Sequence, residues 1–180
     1  MQKRFASLTV IAGTLALAAC IPPSPEPTPA PTPAPVAQPS AAPTQAVTPT
    51  YDNWMDAPQT QGNWSYRATG TGTQALFGQQ AQGARAVISC DRATRRVSIE
   101  RAGVANGQVA MLIRTETQDR TLTASASPDQ QIGAQLAASD PLLDAIAFSR
   151  GRFALEVAGQ QGLYLPAYPE ITRVVEDCRR

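Results

Sequence analysis

The sequence predicts an α+β fold: a curved antiparallel β-sheet of about six to seven strands, in a sandwich or partial barrel, with a short helix and a C-terminal helix packed on it. Three observations predict this class. Segments of alternating apolar and polar residues recur after residue 63, as in strands with one buried face. The stretches between them are rich in Gly, Asn, Gln and Asp, which favour turns. The last residues of the chain repeat their apolar side chains with a helical period instead.

The N-terminus predicts export. Lys3 and Arg4 precede an apolar stretch, residues 5–16, which is short for a permanent membrane-spanning helix. This pattern is typical of a signal peptide. Residues 17–20, Leu-Ala-Ala-Cys, resemble the lipobox of bacterial lipoproteins, in which a signal peptidase cuts before a cysteine that carries diacylglycerol. We therefore expect residues 1–19 to be removed as a signal peptide.

The lipobox resemblance implies a membrane anchor on Cys20. This cysteine would become the mature N-terminus, and two or three acyl chains on one residue anchor a protein stably. In the family's sorting rule an Asp directly after the cysteine retains the protein in the inner membrane, whereas Ile21 stands there in this chain. We expect a lipoprotein of the outer membrane that faces the periplasm.

A proline-rich spacer follows, and with Cys20 it makes residues 20–50 a predicted disordered tether. Residues 22–50 contain 11 prolines among Ala, Thr, Ser, Gln and Val. Proline fixes φ and removes an amide donor, so this stretch is expected to form neither helix nor sheet. A docking site for a proline-recognising partner is the alternative.

One globular domain is predicted for residues 51–180. Residues 91–95 predict a turn between two strands, and so do residues 105–107, where an Asn-Gly pair tolerates positive φ. Residues 70–72, Gly-Thr-Gly, are also a turn signal rather than a nucleotide-binding motif. The predicted strands comprise residues 63–69, 84–90, 96–101, 108–117, 120–127, 152–158 and 162–165.

Two helices are predicted. Ser139 and Asp140 are candidate caps of the first, Pro141 suits its opening turn, and Gly151 is expected to end it. The second runs from about Pro169 to the C-terminus. Its first turn is acidic, at Glu170, and its end is basic, at Arg179 and Arg180, as the helix dipole favours. The buried stripes are Leu142, Leu143 and Ile146 in the first helix, and Ile171, Val174, Val175 and Cys178 in the second.

The cysteines predict one disulfide, between Cys90 and Cys178. Lipidation of Cys20 leaves only these two, and an exported protein folds in an oxidising compartment. Cys90 shares its predicted strand face with Ala86 and Ile88, and Cys178 lies on the apolar face of the last helix. Both thiols are thus expected to point into one core.

The composition excludes several classes of function. The chain has no histidine, and its only lysine is Lys3, so the usual nucleophilic triads, ordinary zinc sites and a phosphate-cradling loop with a lysine are absent. A net charge near zero does not favour nucleic acid. We expect no metal, no cofactor and no enzymatic activity. A carboxylate-dependent hydrolase is the alternative, and its candidate residues are Asp91, Glu100, Glu170, Glu176 and Asp177. Solvated surface or helix-cap positions are favoured for these carboxylates.

Four arginines form a possible anionic-ligand site around one predicted hairpin: Arg92, Arg95, Arg96 and Arg101. Guanidinium groups suit phosphate or acidic glycan. A charged hairpin tip that resists aggregation is the favoured interpretation. A set of aromatic residues could likewise form a glycan-stacking face, although packing in the core or at its rim is favoured. Its members are Trp54, Trp64, Tyr66 and Tyr164.

The C-terminal third carries a resemblance to a family. The segments SRGRF (149–153), LYLP (163–166) and PEITRVVEDCR (169–179) resemble a signature of uncharacterised proteobacterial envelope lipoproteins. The resemblance implies an envelope location and no particular activity. We expect a non-enzymatic binding or assembly module whose partner is the membrane and an envelope glycan or envelope protein. An inhibitor or partner of a secreted enzyme is a further alternative.

Overall fold

A computed structural model describes residues 51–79 and 82–180, and in these ranges nine strands form a single antiparallel sheet with two helices. The predicted signal peptide, Cys20 and the tether lie outside the described residues. The helices are α1, Pro141–Ala147, and α2, Pro169–Arg179. The strands are β1 Asn63–Ala68, β2 Gly72–Gln79, β3 Gly83–Asp91, β4 Arg96–Ala102, β5 Gln108–Arg114, β6 Asp119–Ala126, β7 Gln131–Ala137, β8 Arg152–Val157 and β9 Leu163–Pro166.

The predicted class, α+β with a curved antiparallel sheet, is confirmed, but the strand count of six to seven is too low. The two strands that the sequence did not reveal are β2 and β7. In β2 the inward residues Thr73 and Phe77 alternate correctly, yet Leu76 points outward and obscures the period. In β7 the inward residues are separated by Gly133, and Gly and Ala have low strand propensity.

The strand order is β1-β2-β3-β4-β7-β6-β5-β8-β9. Strands β1 to β4 are joined by successive hairpins. Strands β5 to β7 also follow one another, after which a long connection containing α1 returns the chain to place β8 beside β5, the arrangement of a Greek key. The turn predicted at residues 105–107 is present, with Gly107 at φ 70°. It connects β4 to β5, which are not neighbours in the sheet, because β7 and β6 lie between them.

The sheet is curled, so that its two edge strands approach each other. Trp64 lies in β1 and Pro166 in β9, at opposite ends of the strand order. The indole N–H of Trp64 nevertheless donates to the carbonyl oxygen of Pro166 at 2.7 Å. The ring itself is buried in the core beside Phe77. A single aromatic residue therefore both fills the core and links the two edges.

The α1 helix begins as the sequence predicts and ends earlier. Asp140 is the N-cap, because its carboxylate accepts from the amide of Leu142 at 2.9 Å. The second carboxylate oxygen accepts from Arg120 at 2.8 Å, and this hydrogen bond lowers the pKa of Asp140. The helix stops at Ala147, and Gly151 instead takes a positive φ of 76° in the turn before β8.

The α2 helix covers the inner face of the β1–β4 half of the sheet, and the predicted disulfide attaches it there. Cys90 and Cys178 form the bridge, with their Cα atoms 5.5 Å apart, a normal separation for a disulfide. Both residues are buried in the main core. The whole predicted stripe is buried as well: Ile171, Val174, Val175 and Cys178.

A second, smaller apolar cluster lies on the opposite face of β8 and β9. Trp54, in a 3₁₀ turn of residues Trp54–Asp56, packs there against Ala154 and Tyr164. Tyr164 also donates its hydroxyl to the buried carboxylate of Glu156 at 3.0 Å. The segment before β1 is thus an outer layer over the last two strands.

Candidate anion-binding groove

The β3–β4 turn projects three of the four predicted arginines into solvent. One oxygen of the Asp91 carboxylate accepts from the amides of Ala93 and Thr94, at 2.9 and 3.1 Å, which is the side-chain turn that Asp favours. Arg95 then adopts a left-handed backbone, with φ 52°. Arg92, Arg95 and Arg96 are all exposed. The local sequence therefore shapes a tight, basic hairpin end.

A further arginine joins the hairpin from the other end of the chain. Arg179 follows Cys178, so the disulfide to Cys90 brings it to the same end of the sheet. Its guanidinium donates to the carbonyl of Ala138 at 2.8 Å and forms a two-pronged ion pair with Asp144, at 2.8 and 3.0 Å. The hydrogen bond to Asp144 raises the pKa of Arg179. Arg95 in turn donates to the backbone carbonyl of Arg179.

Together these elements enclose an open groove of about 680 Å³, which we call the arginine groove. Hydroxyl and guanidinium donors face it from the hairpin, from the loop before α1 and from the end of α2. Since Asp144 offsets the charge of Arg179, the excess positive charge comes from Arg95 and Arg96. The lining residues are Thr94, Arg95, Arg96, Ser139, Asp144 and Arg179, with Ala137 and Ala138. Forked guanidinium donors beside hydroxyls suit a phosphate or carboxylate group.

The expectation that Arg101 belongs to this cluster is wrong. Arg101 lies at the other end of β4, only 5% exposed, on the inner side of the strand. It donates to the carbonyls of Gln161, at 2.7 Å, and Ala102, at 3.2 Å. Burial, with a smaller effect of Arg85, lowers the pKa of Arg101 to about 10, so it still carries its charge at neutral pH. Its contacts attach the β8–β9 loop to the sheet.

Two further arginines, Arg92 and Arg179, lie differently from the prediction. Arg92 is exposed in the turn but does not line the groove, whereas Arg179 does. The sequence contained a signal for Arg179, because a bridge between Cys90 and Cys178 necessarily places the neighbours of the two cysteines close together. The helix dipole offered a sufficient reason for a basic residue there and concealed the second role.

Three of the five candidate carboxylates lie on α2 and the other two on β3 and β4, and none lines the arginine groove. Asp91 shapes the hairpin turn. In α2, Asp177 accepts from the Tyr66 hydroxyl at 2.7 Å, a hydrogen bond that raises the pKa of Tyr66. Glu170 and Glu176 lie on the same helix. Glu100 lies on β4 in a partly buried position, and burial raises its pKa.

The aromatic residues do not share a surface. Trp54, Trp64 and Tyr164 are buried, so the packing role that the sequence favours is confirmed for them. Tyr66 is partly exposed, and the guanidinium of Arg173 lies 3.8 Å from its ring centre. A glycan-stacking face built from all four is therefore excluded.

Another open groove, of about 500 Å³, lies along β1 and β2 near the β2–β3 connection. Backbone and uncharged side chains line it, including Trp64, Phe77 and Gln79. Among residues 51–79 and 82–180, no group of three or more His, Cys, Asp or Glu side chains is placed to hold a metal ion. Within the same ranges no helix is long and apolar enough to span a membrane. The arginine groove, with its guanidinium groups, is therefore the candidate binding site.

Comparison with known proteins identifies no relatives: no family model, no curated protein and no solved structure matches the chain.

Proposed function

We propose that this protein is a lipid-anchored, periplasm-facing envelope protein, a non-enzymatic module that binds a phosphate-bearing envelope component in its arginine groove. The observation that carries the proposal is the convergence of Arg95, Arg96 and Arg179 on one open surface. The lipobox at residues 17–20, the proline-rich tether and the C-terminal resemblance to envelope lipoproteins support the location.

Hydrogen-bond geometry explains why the groove suits an anion. Arg179 is held by Ala138 and Asp144, so one wall of the groove is organised before a ligand arrives. Such preorganisation reduces the free energy that binding would spend on ordering side chains. Arg95 and Arg96 supply the excess charge, and the hydroxyls of Thr94 and Ser139 can donate to further oxygens.

No specific observation favours the hydrolase alternative. Glu100 lines a cavity of about 360 Å³, and none of the other four candidate carboxylates lines that cavity, the arginine groove or the β1–β2 groove. A two-carboxylate mechanism needs a second acid across the scissile bond. Since none of these three cavities is lined by two of the candidates, the binding module is the proposal.

The tether is tested by fractionation. The wild-type chain is expected in the membrane fraction, with an N-terminal Cys20 that carries diacylglycerol mass, and the Cys20→Ser variant is expected to lose that lipid and leave the membrane fraction. Cell fractionation and mass spectrometry of the N-terminal peptide measure both. A wild-type chain without lipid mass, or a Cys20→Ser variant that stays with the membrane, would contradict the anchor.

The groove is tested by titrating the detergent-solubilised full chain with inorganic phosphate and with glycerol 3-phosphate, using glycerol as the neutral probe. The first two probes separate free phosphate from a lipid-headgroup phosphate. We expect saturable phosphate binding that weakens with salt, and a rise in Kd of about tenfold or more in Arg95→Gln/Arg96→Gln.

The matched control is Arg67→Gln/Arg150→Gln, which removes the same charge from exposed positions outside the groove. It should change the phosphate Kd by less than about twofold, because neither side chain lines the groove and salt screens exposed charges. Absence of saturable binding by both phosphate probes, or an equal loss in the two double variants, would overturn the proposed binding site.

A further inference from the structure

Strands β6 and β7 diverge and leave a polar cleft between them. They are consecutive, but they pair only at Ser125 with Gly133 and at Ala126 with Ile132. Each is otherwise held by its other neighbour, since β7 pairs along its length with β4 and β6 with β5. The divergence opens a cleft of about 360 Å³.

The cleft opens on the outer face of the sheet and is lined by polar side chains. Along β4, Val97 and Ile99 point into the core, so the alternating residues Ser98 and Glu100 point outward. From β6 the cleft receives Ser125, and from β7 it receives Gln131. Hydroxyl, amide and carboxylate groups thus replace the apolar lining that is usual in small-molecule pockets.

Two hydrogen-bond acceptors in this cleft lack donors. The Gln131 Oε1 atom is buried and accepts from no described residue. The Glu100 carboxylate also receives no hydrogen bond from residues 51–79 and 82–180. Gly133 makes room for it, because a Cβ there would lie 2.7 Å from Glu100 Cγ. The buried, unpaired Gln131 oxygen is costly, whereas Glu100 is only partly buried. A ligand that brings donors would satisfy both acceptors.

The cleft adjoins the arginine groove along β4. Arg96, Ser98 and Glu100 alternate on one face of this strand, so Arg96 and Glu100 are about 13 Å apart along it. On the facing strand, Arg96 pairs with Ala137 and Ser98 with Gln135. The Arg96 guanidinium already donates to the carbonyl of Gln135, a cleft residue, at 3.3 Å. Arg96 therefore lines the arginine groove and also lies on the strand face that the cleft residues Ser98 and Glu100 occupy.

We propose that the cleft is a sugar subsite and that the ligand is a phosphorylated oligosaccharide. Its phosphate lies against Arg95 and Arg96, and its sugar hydroxyls donate to Glu100 and Gln131. This inference rests on the proposed phosphate binding and deepens it, because it adds a sugar portion that reaches the cleft, whereas glycerol 3-phosphate is a short open-chain molecule. A span of about 13 Å calls for more than one sugar ring.

The test titrates the detergent-solubilised full chain with trehalose 6-phosphate, with trehalose and with inorganic phosphate. The wild type is expected to bind trehalose 6-phosphate about tenfold more tightly than inorganic phosphate. Glu100→Gln keeps the shape of the side chain and removes its charge. It should abolish most of that advantage and leave the Kd for inorganic phosphate unchanged.

Two further variants separate binding from folding. Gly133→Ala crowds Glu100 from the facing strand and should cause the same selective loss. Glu116→Gln, an exposed carboxylate between β5 and β6 that lines neither the groove nor the cleft, is the matched control and should change neither Kd. Thermal unfolding of each variant, followed by circular dichroism, shows whether the fold is retained before its affinities are compared.

The outcomes distinguish the two proposals. Equal binding of inorganic phosphate and trehalose 6-phosphate, or a sugar advantage that survives Glu100→Gln, would overturn the sugar subsite and leave the phosphate site standing. No binding of either phosphate probe would overturn the proposed function and the subsite with it. A selective loss in Glu100→Gln and Gly133→Ala would support both.

Discussion

The two halves of the sheet are completed by opposite ends of the chain. Strands β1 to β4 form successive hairpins, and the inner face of this half is covered by α2, which arrives from the C-terminus and is joined by a disulfide. Strands β8 and β9 lie at the other edge, and their outer face is covered by Trp54 from the start of the domain. One half is covered by a segment that carries a covalent link, and the other by a segment held through packing and hydrogen bonds.

The α2 helix and the Trp54 segment differ in how each is attached to the sheet. The β1–β4 half has local connections, but Cys178 in α2, the helix that covers it, lies 88 residues from Cys90. Bringing α2 onto these strands therefore costs a large loop-closure entropy. The bridge removes much of that entropy from the unfolded chain. The Trp54 layer has no such link, although Arg114 also donates to the carbonyls of Tyr51 and Asp52, at 3.1 and 3.0 Å.

The largest expected effect is that of removing the disulfide. In Cys90→Ala/Cys178→Ala, closure of an 88-residue loop is lost from the unfolded state, and the free energy of unfolding should fall by about 4–5 kcal/mol. Urea denaturation measures this value. Hydrogen exchange should show that α2 and β1–β4 lose protection before β5–β9. Unchanged stability, or a loss of protection in β8 and β9 before α2, would contradict the stabilising role of the bridge.

A smaller loss of stability is expected from Trp54→Ala, which removes the aromatic cover of β8 and β9. Trp54 is 4% exposed against Ala154 and Tyr164, and truncating a buried Trp costs about 3 kcal/mol or more. Protection should be lost first in β8 and β9. The matched control is Met55→Ala in the same turn, where the side chain is 51% exposed and the cost should stay within about 0.5 kcal/mol. Equal costs would mean that the outer layer adds no stability.

Local sequence pattern predicted the elements whose signals are contained in a few consecutive residues. The α2 stripe, the Asp140 cap, the turn at Asp91 and seven of the strands belong to this group. The disulfide was also predicted, although its cysteines are far apart in the chain, because the predicted lipidation of Cys20 leaves only one possible pair. Strands β2 and β7 were not predicted, since Leu76 and Gly133 disturb their alternation without preventing their pairing.

Tertiary structure decided the rest, because strand neighbours are chosen by packing and not by local propensity. Only the folded sheet places β7 beside β4, so that Gly133 faces Glu100. Only the folded chain separates Arg101 from the hairpin arginines and replaces it with Arg179. Local sequence patterns thus predicted both helices and seven of the nine strands in the described residues, and the cysteine count predicted the bridge. The groove and the cleft depend on contacts between residues distant in the chain, whose closeness no local period encodes.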